Sequence, residues 1–240
     1  MSPRNFFSRK IPGYIALILF ATLLSGVLMF YSQATLTGSV NNAIGLFFTL
    51  ITDSAGNPGF AVTVIILMSA PVILKMPKQH IIKIGIQFTL FLVLCMIAKT
   101  AIKHITEIPR PYTYQLQALG IVESPDIFYQ MDESQQQTAI KEAGNRVSHW
   151  RTDHWKSETN YSFPSGHTIF AAACVTFWGG FFLRRRHYLP ASGVITWGVG
   201  VGISRVWLGM HWPTDLMAAL FCAAILYLCV PEWPVDDEKN

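Results

Sequence analysis

The sequence predicts an all-α integral membrane protein of six transmembrane helices, with a partly helical cap between spans 3 and 4. Hydrophobic residues make up 51% of the 240 residues and charged residues only 13%, about half the charged share of a globular protein. A soluble fold of this size could not cover its own surface. The mean hydropathy of +0.35 agrees, and the apolar residues gather into six runs near the length of about 20 residues that spans roughly 30 Å of hydrocarbon. The chain is neither low in complexity nor repetitive, which excludes disorder and solenoids. Its net charge of +4 is small, and the basic residues sit in short clusters between apolar runs. Such clusters are topology signals rather than a nucleic-acid surface, so no nucleic-acid partner is expected. Cys95, Cys174, Cys222 and Cys229 all lie in apolar stretches without ligand-like spacing. They read as lipid-facing or core thiols, not as a disulfide framework or a zinc site.

The first run extends from about Tyr14 to Tyr31. Arg4, Arg9 and Lys10 before it and Ala34 after it also fit a signal peptide, but the run is longer than a signal core and reads as a span. The second, Phe60 to Leu74, is short and can be extended at its start, where Pro58 and Gly59 mark the end of a turn. The third covers Ile81 to Ile102, the fourth Ser165 to Leu183, the fifth Leu189 to Val206 and the sixth Thr214 to Val230. Arg4, Arg9 and Lys10, then Lys75, Lys78 and Lys83, then Arg184, Arg185 and Arg186 mark the cytoplasmic connections, so both termini are expected in the cytoplasm. Residues 32 to 56, 103 to 163 and 205 to 213 then share the other side. Residues 39 to 52 are apolar enough for an interfacial helix. The stretch 103 to 163 carries eight carboxylates against six Lys or Arg and reads as a solvated cap, with a helix from Asp132 to Ala143 stopped by Gly144. Residues 1–240 form one domain, with an insertion at about 104–163. Gly198 and Gly202 allow close packing of the fifth span.

Ionisable groups at membrane ends are costly unless paired or used. One cluster is Lys103, six residues, then Arg110-Pro111. Another is Phe163-Pro164-Ser165-Gly166-His167. The third is Ser204-Arg205, five residues, His211, three residues, Asp215. The alternation of spans puts all three on one side, where they could share a pocket. Two arginines and a lysine suit a doubly charged anion with several oxygens, phosphate above all. Pro164-Ser165-Gly166 opens a helix whose first amides bind such anions. His211 and Asp215, one turn apart, can form an oriented nucleophile. His167 across the phosphate can protonate a departing alkoxide and later activate water.

Lys103-x6-Arg110-Pro111, Pro164-Ser165-Gly166-His167 and Ser204-Arg205-x5-His211-x3-Asp215 resemble the three signatures of the type 2 phosphatidic acid phosphatase superfamily, complete and in order. The surroundings, Phe163 to Ala172 and Leu208 to Pro213, look like its bacterial members acting on phosphatidylglycerol phosphate. The resemblance implies a metal- and cofactor-independent phosphatase of the bacterial inner membrane, its site facing the periplasm, with a phosphohistidine on His211, Asp215 orienting it and His167 as proton donor. By the same carry-over Lys103, Arg110, Ser165, Gly166 and Arg205 are phosphate ligands, supported by Ser204, Pro111 and Pro164. The implied substrates are phosphatidylglycerol phosphate first, then phosphatidic acid, diacylglycerol pyrophosphate and undecaprenyl pyrophosphate.

Plainer readings stand beside these. Asp215 could complement a helix dipole, alone or as well, and Arg205 and Lys103 could snorkel from helix ends. Lys99, deeper in the third span, needs a carboxylate, and Glu158 is the expected partner. His149 and His154 have the wrong spacing for a helical metal pair, and Trp150 and Trp155 beside them read as interfacial anchors. His104 reads as loop surface, His80 and His187 as parts of cytoplasmic turns. A dedicated undecaprenyl pyrophosphate phosphatase needs the same cradle. A lipid phosphate binder or transporter would need no oriented nucleophile, and a vanadate-dependent oxidase would not need the spans. Oligomeric state is not legible.

Overall fold

Apolar runs removed from water must satisfy every backbone group within the segment, and helices do so. A computed structural model describes residues 3–30 and 35–233, with side chains from Phe7 onward in the first helix. Tyr31, Ala34 and the side chain of Arg4 lie outside the described residues. Among those described, every regular element is helical, and Gly38 and Val147 form an isolated β-bridge. The helices are α1 (Pro3–Phe30), α2 (Asn42–Asp53), α3 (Gly59–Ile73), α4 (Lys78–Thr106), α5 (Pro111–Ala118), α6 (Pro125–Gln130), α7 (Glu133–Ala143), α8 (His149–Ser157), α9 (Gly166–Cys174), α10 (Gly180–Arg184), α11 (Tyr188–Trp207) and α12 (Pro213–Cys229). A π-helical turn, Val175–Gly179, joins α9 to α10. Three helical stretches, Phe7–Phe30, Lys78–Ala118 and Gly166–Arg184, are long and apolar enough to cross a membrane. α3 and α12 are apolar but shorter, and glycines and Arg205 dilute α11.

α9 stands at the centre of the bundle, against α4, α11 and α12, and every residue from Thr168 to Cys174 is buried. Ala171, Ala172 and Ala173 let its neighbours approach closely, the packing that takes over where lipid removes the hydrophobic driving force between helices. Gly198 and Gly202 do this on α11. A Cβ at Gly198 would stand 2.7 Å from Cγ2 of Val175, and one at Gly202 would stand 2.8 Å from Cδ1 of Leu24. Outward faces of α1, α3 and α4 expose Ile18, Ile65, Ile66 and Ile97. α2 exposes Ile44, Leu46, Phe47 and Leu50 while burying Gly45 and Thr52, as an interfacial helix does.

Residues 111 to 157 form a lobe of four short helices around Tyr112, Leu116, Phe128, Ile140 and Trp155, continuous with Trp207, Leu208 and Met210 at the end of α11. α7 starts where its sequence signals place it. The Asp132 carboxylate accepts from the Gln135 amide at 2.9 Å, and the Gln135 side chain accepts from the Asp132 amide at 3.0 Å. The expectation of Trp155 as an interfacial anchor is corrected. Trp155 is fully buried, stacks on Tyr112 at 5.0 Å and donates Nε1–H to the Leu208 carbonyl at 2.7 Å. Leu208 caps α11, so the indole both fills the lobe's core and satisfies a helix-end acceptor, which a lipid surface would not offer. Trp150 rests on Gly45 of α2 and donates to Asn42 at 3.2 Å.

At the far end of the bundle the first and last helices are clasped. Lys10, 1% exposed, donates to the carbonyls of Tyr227 and Val230 at 2.8 Å each and pairs with Glu232 at 3.1 Å. Tyr227 lies in the last turn of α12, whose carbonyls lack intrahelical partners, so Lys10 caps a helix 217 residues away. Arg184 lies 3.9 Å from Glu232 and donates to the Arg9 carbonyl, and Gln87 donates to the Pro231 carbonyl at 2.6 Å. Removing one partner of a buried pair strands the other, at a cost of about 3 kcal/mol or more. Lys10→Met is therefore expected to lower the thermal midpoint in detergent by roughly 5–10 °C, and an unchanged melting curve would show that the clasp contributes nothing to stability.

Candidate active site

The loop after α4 delivers the first cation. Arg110 is extended, φ −75° and ψ 149°, as the residue before a proline must be, and Pro111 then starts α5. At α9 the N-cap is Ser165, whose hydroxyl accepts from the Thr168 amide at 3.3 Å and from the Thr168 hydroxyl at 2.9 Å, leaving its own O–H free to donate. Its amide donates to the Asp215 carbonyl at 3.3 Å, which fixes Gly166 and His167 against the start of α12. Arg205 comes from the last turn of α11.

These elements converge on one carboxylate. Glu158, just past α8, takes Arg110 Nη2 on Oε2 at 2.9 Å and Arg205 Nη2 on Oε1 at 2.6 Å, with His167 Nδ1 at 3.9 Å. Both arginine side chains are 0% exposed. Burial alone would raise the Glu158 carboxyl, but Arg205 and Arg110 overcome it and hold the group well below the usual carboxylate range. The expected pairing of Glu158 with Lys99 is thus replaced. Two buried guanidiniums outcompete one ammonium that can reach toward water, and Lys99 instead lies along Gly166, where a Cβ would stand 3.1 Å from its Cδ. Arg205 also donates Nη1–H to Thr52 at 2.8 Å, while its buried Nε–H has no partner among the described residues. The Nε–Nη2 edge, the fork that suits two oxygens of one anion, is therefore held by a single carboxylate oxygen.

His211, 1% exposed, lies between Asp215 and Arg110. Its Nδ1 is 3.2 Å from Asp215 Oδ2 and its Nε2 is 3.2 Å from Arg110 Nη1. A guanidinium can only donate and a carboxylate only accept, so Nδ1 carries the proton and Nε2 the lone pair. This is the tautomer of a nucleophile aimed at the cation cluster. Asp215 also accepts the Trp212 amide at 2.9 Å, so orienting His211 and satisfying the start of α12 are one contact set. His167 Nε2 faces the α2–α3 turn at Gly56, where a Cβ would stand only 2.6 Å away.

Lys103 donates to Asn160 Oδ1 at 3.3 Å. Ser204 is not brought into the cluster, because its hydroxyl bonds back to the Val201 carbonyl at 2.6 Å. His154 sits 3.4 Å from Thr49, with burial pushing its imidazole down from the ordinary range. Thr52, Gly56 and Asn160 went unread in the sequence. Asn160 alone had a signal, a polar Asn-Tyr-Ser turn just ahead of Phe163-Pro164, while nothing local marks Thr52. Behind His211, a largely apolar pocket of about 330 Å³ is lined by Leu36, Tyr114, Val206 and Trp212.

Residues 84–238 match the PAP2 superfamily. Among curated proteins, the phosphatidylglycerophosphatase B of Haemophilus influenzae is 34% identical over 186 residues, covering 74% of this chain and 76% of that protein. The protein of the same name in Escherichia coli is 33% identical over 138 residues, covering 56% of this chain and 54% of its own. That of Bacillus subtilis is 35% identical over 90 residues, covering 34% and 42%.

Burial, then Arg110 and Arg205, hold the His211 imidazole well below its usual range. The neutral ring is favoured, and protonation sets in only as pH falls through that lowered value. In 15N-labelled protein the His211 ring should therefore still be neutral at pH 6, and a midpoint near the ordinary value of about 6.5 would show that the cations do not act on it.

Proposed function

The chain belongs to the PAP2 superfamily, and from that membership and the geometry around His211 we propose that it is a membrane lipid phosphate phosphatase acting on phosphatidylglycerol phosphate. The observation that carries the reading is the placement of the His211 ring, with Asp215 on Nδ1 and buried Arg110 on Nε2, which fixes the lone pair on Nε2. A pure binder would need the arginines but no oriented imidazole.

In the proposed reaction the substrate phosphate displaces the Glu158 carboxylate and takes its donors on Arg110 and Arg205, with Lys103, Ser165 and the Gly166 amide completing the cradle. Nε2 of His211 attacks phosphorus as the P–O bond to the lipid alcohol breaks, and His167 protonates the departing oxygen. His167 then takes a proton from water, whose oxygen attacks the phosphohistidine and frees inorganic phosphate and His211. No metal or cofactor enters these steps. Asp215 keeps the imidazole in its reactive tautomer throughout. The apolar pocket behind His211 favours a lipid over a soluble phosphate ester.

The same proposal covers topology. α1, α3, α4, the α9–α10 stretch, α11 and α12 are read as six spans of a single domain, with residues about 104–163 as a periplasmic cap. The meeting of Lys10, Arg184 and Glu232 at one end supports it, since the expected cytoplasmic clusters of the first and fourth spans then lie together, away from the site. The membrane is taken to be the bacterial inner membrane, with both termini in the cytoplasm. Phosphatidic acid, diacylglycerol pyrophosphate and undecaprenyl pyrophosphate are proposed as further substrates.

Phosphate release from phosphatidylglycerol phosphate and undecaprenyl pyrophosphate, by protein purified in detergent with a metal chelator, tests this. Turnover is expected to survive the chelator and vanish in His211→Ala. A substrate ratio strongly favouring the pyrophosphate would make it a dedicated undecaprenyl pyrophosphate phosphatase, and release from neither lipid by folded protein would leave a binder or transporter. Arg205→Ala should cost about 2.7–4 kcal/mol of transition-state stabilisation, near 10²–10³ in kcat, if it acts as an oxyanion donor. Unchanged kinetics in that variant would remove Arg205 from the cradle.

A further inference from the structure

The donors of Arg110 can be followed one by one. Its Nη1 donates to the Met210 carbonyl at 3.0 Å and to His211 Nε2 at 3.2 Å. Its Nη2 donates to Glu158 at 2.9 Å and to Asn160 Oδ1 at 2.6 Å, and its Nε donates to the Asn160 carbonyl at 2.6 Å. All five N–H groups of the guanidinium are thereby engaged. Asn160 takes the whole Nε–Nη2 edge, with a main-chain oxygen on one nitrogen and a side-chain oxygen on the other. That grip mimics a bidentate carboxylate without its charge. The same Oδ1 accepts from Lys103 Nζ at 3.3 Å. One neutral oxygen thus holds two cations from different parts of the chain, the last turn of α4 and the loop before α5.

We infer that Asn160 is a positioning residue that yokes Lys103 to Arg110, turning both toward the anion site while adding no negative charge to it. This rests on the phosphatase reading above. The amide's neutrality is the important property. Glu158 already supplies one internal anion, and it is half-open to displacement, with its side chain 25% exposed. A second carboxylate on the same arginine would compete with the incoming phosphate, whereas an amide oxygen orients the guanidinium and leaves its charge intact. With its outer edge clamped, Arg110 can turn only its inner donors, to His211 on one side and to the anion on the other. Asn160 acts through Arg110 and Lys103 rather than by touching substrate.

Orthovanadate affinity, measured by thermal shift on the full-length protein in detergent, tests the yoke independently of turnover. Asn160→Ala should bind vanadate about tenfold more weakly, the loss expected for one hydrogen bond to charged groups. Asn160→Asp, which keeps an acceptor in place but adds charge, should bind more weakly still. In the double variant with Lys103→Met, the Asn160→Ala effect should shrink to about threefold or less, because the two act through one contact. Unchanged vanadate affinity in Asn160→Ala, or effects that simply add in the double variant, would overturn the yoke. Should Asn160→Ala fail to fold, Asn160→Asp carries the test, and wild-type affinity there would overturn it equally. Wild-type protein that released no lipid phosphate, while Asn160→Ala still weakened vanadate, would sink the phosphatase reading and leave this one standing.

Discussion

The bridge from Glu158 to Arg110 and Arg205 is the interaction on which the rest of the structure depends. Two guanidiniums shut off from water would each cost several kcal/mol if left alone, and the partly exposed Glu158 carboxylate pairs with both. Arg205 arrives on α11, Arg110 on the loop between α4 and α5, and Glu158 at the end of α8. The bridge therefore ties the four-helix lobe to the bundle. Thr52 extends the network to α2 and Met210 to the turn before α12. Because a buried ion pair stabilises little beyond an apolar replacement, stability alone does not account for it.

The two arginines are held unequally. Arg110 has every donor engaged and is held in one orientation, whereas Arg205 keeps a buried Nε–H without a partner among the described residues. A buried unsatisfied donor is a cost in the resting protein that an arriving oxygen removes. The rigid arginine's guanidinium bonds the His211 ring, whereas Arg205 meets His211 only through its carbonyl, which accepts the His211 amide at 3.3 Å, so orientation falls at the proposed nucleophile and attraction beside it. Asp215 follows the same economy of groups, since a single oxygen both closes the start of α12 and fixes the imidazole.

Much of this was legible in the sequence because the governing forces are local. Helix positions followed from hydropathy, and α7 from its capping residues. Lys103, Arg110, Ser165, Gly166, His167, Arg205, His211 and Asp215 stood out because ionisable and helix-opening residues at the ends of apolar runs need a reason. What stayed hidden was partner choice across long separations. Glu158 could have gone to Lys99, and only the folded lobe shows two guanidiniums nearer and better shielded. Trp155 was misread because an indole near a membrane edge suits a lipid surface and a lobe core equally until its N–H partner is known. Asn160 and Thr52 carry no charge, so nothing in the pattern of apolar and ionic residues pointed to them. Ser204 sits in the right stretch yet turns back onto its own helix.

The clasp at the opposite end concerns the order in which the protein is made. Lys10 leaves the ribosome more than 200 positions ahead of three of its oxygen partners, on Tyr227, Val230 and Glu232. While the residues between are being made, the ammonium lacks those three oxygens, so the clasp around it is incomplete. A long side chain can meanwhile keep its charge in water at the polar boundary. Synthesis of residues 227 to 232 then supplies all three within a few positions. Closure of the helix ring is in this way coupled to synthesis of the end of α12, and a chain interrupted before Tyr227 would lack these three contacts to its first helix.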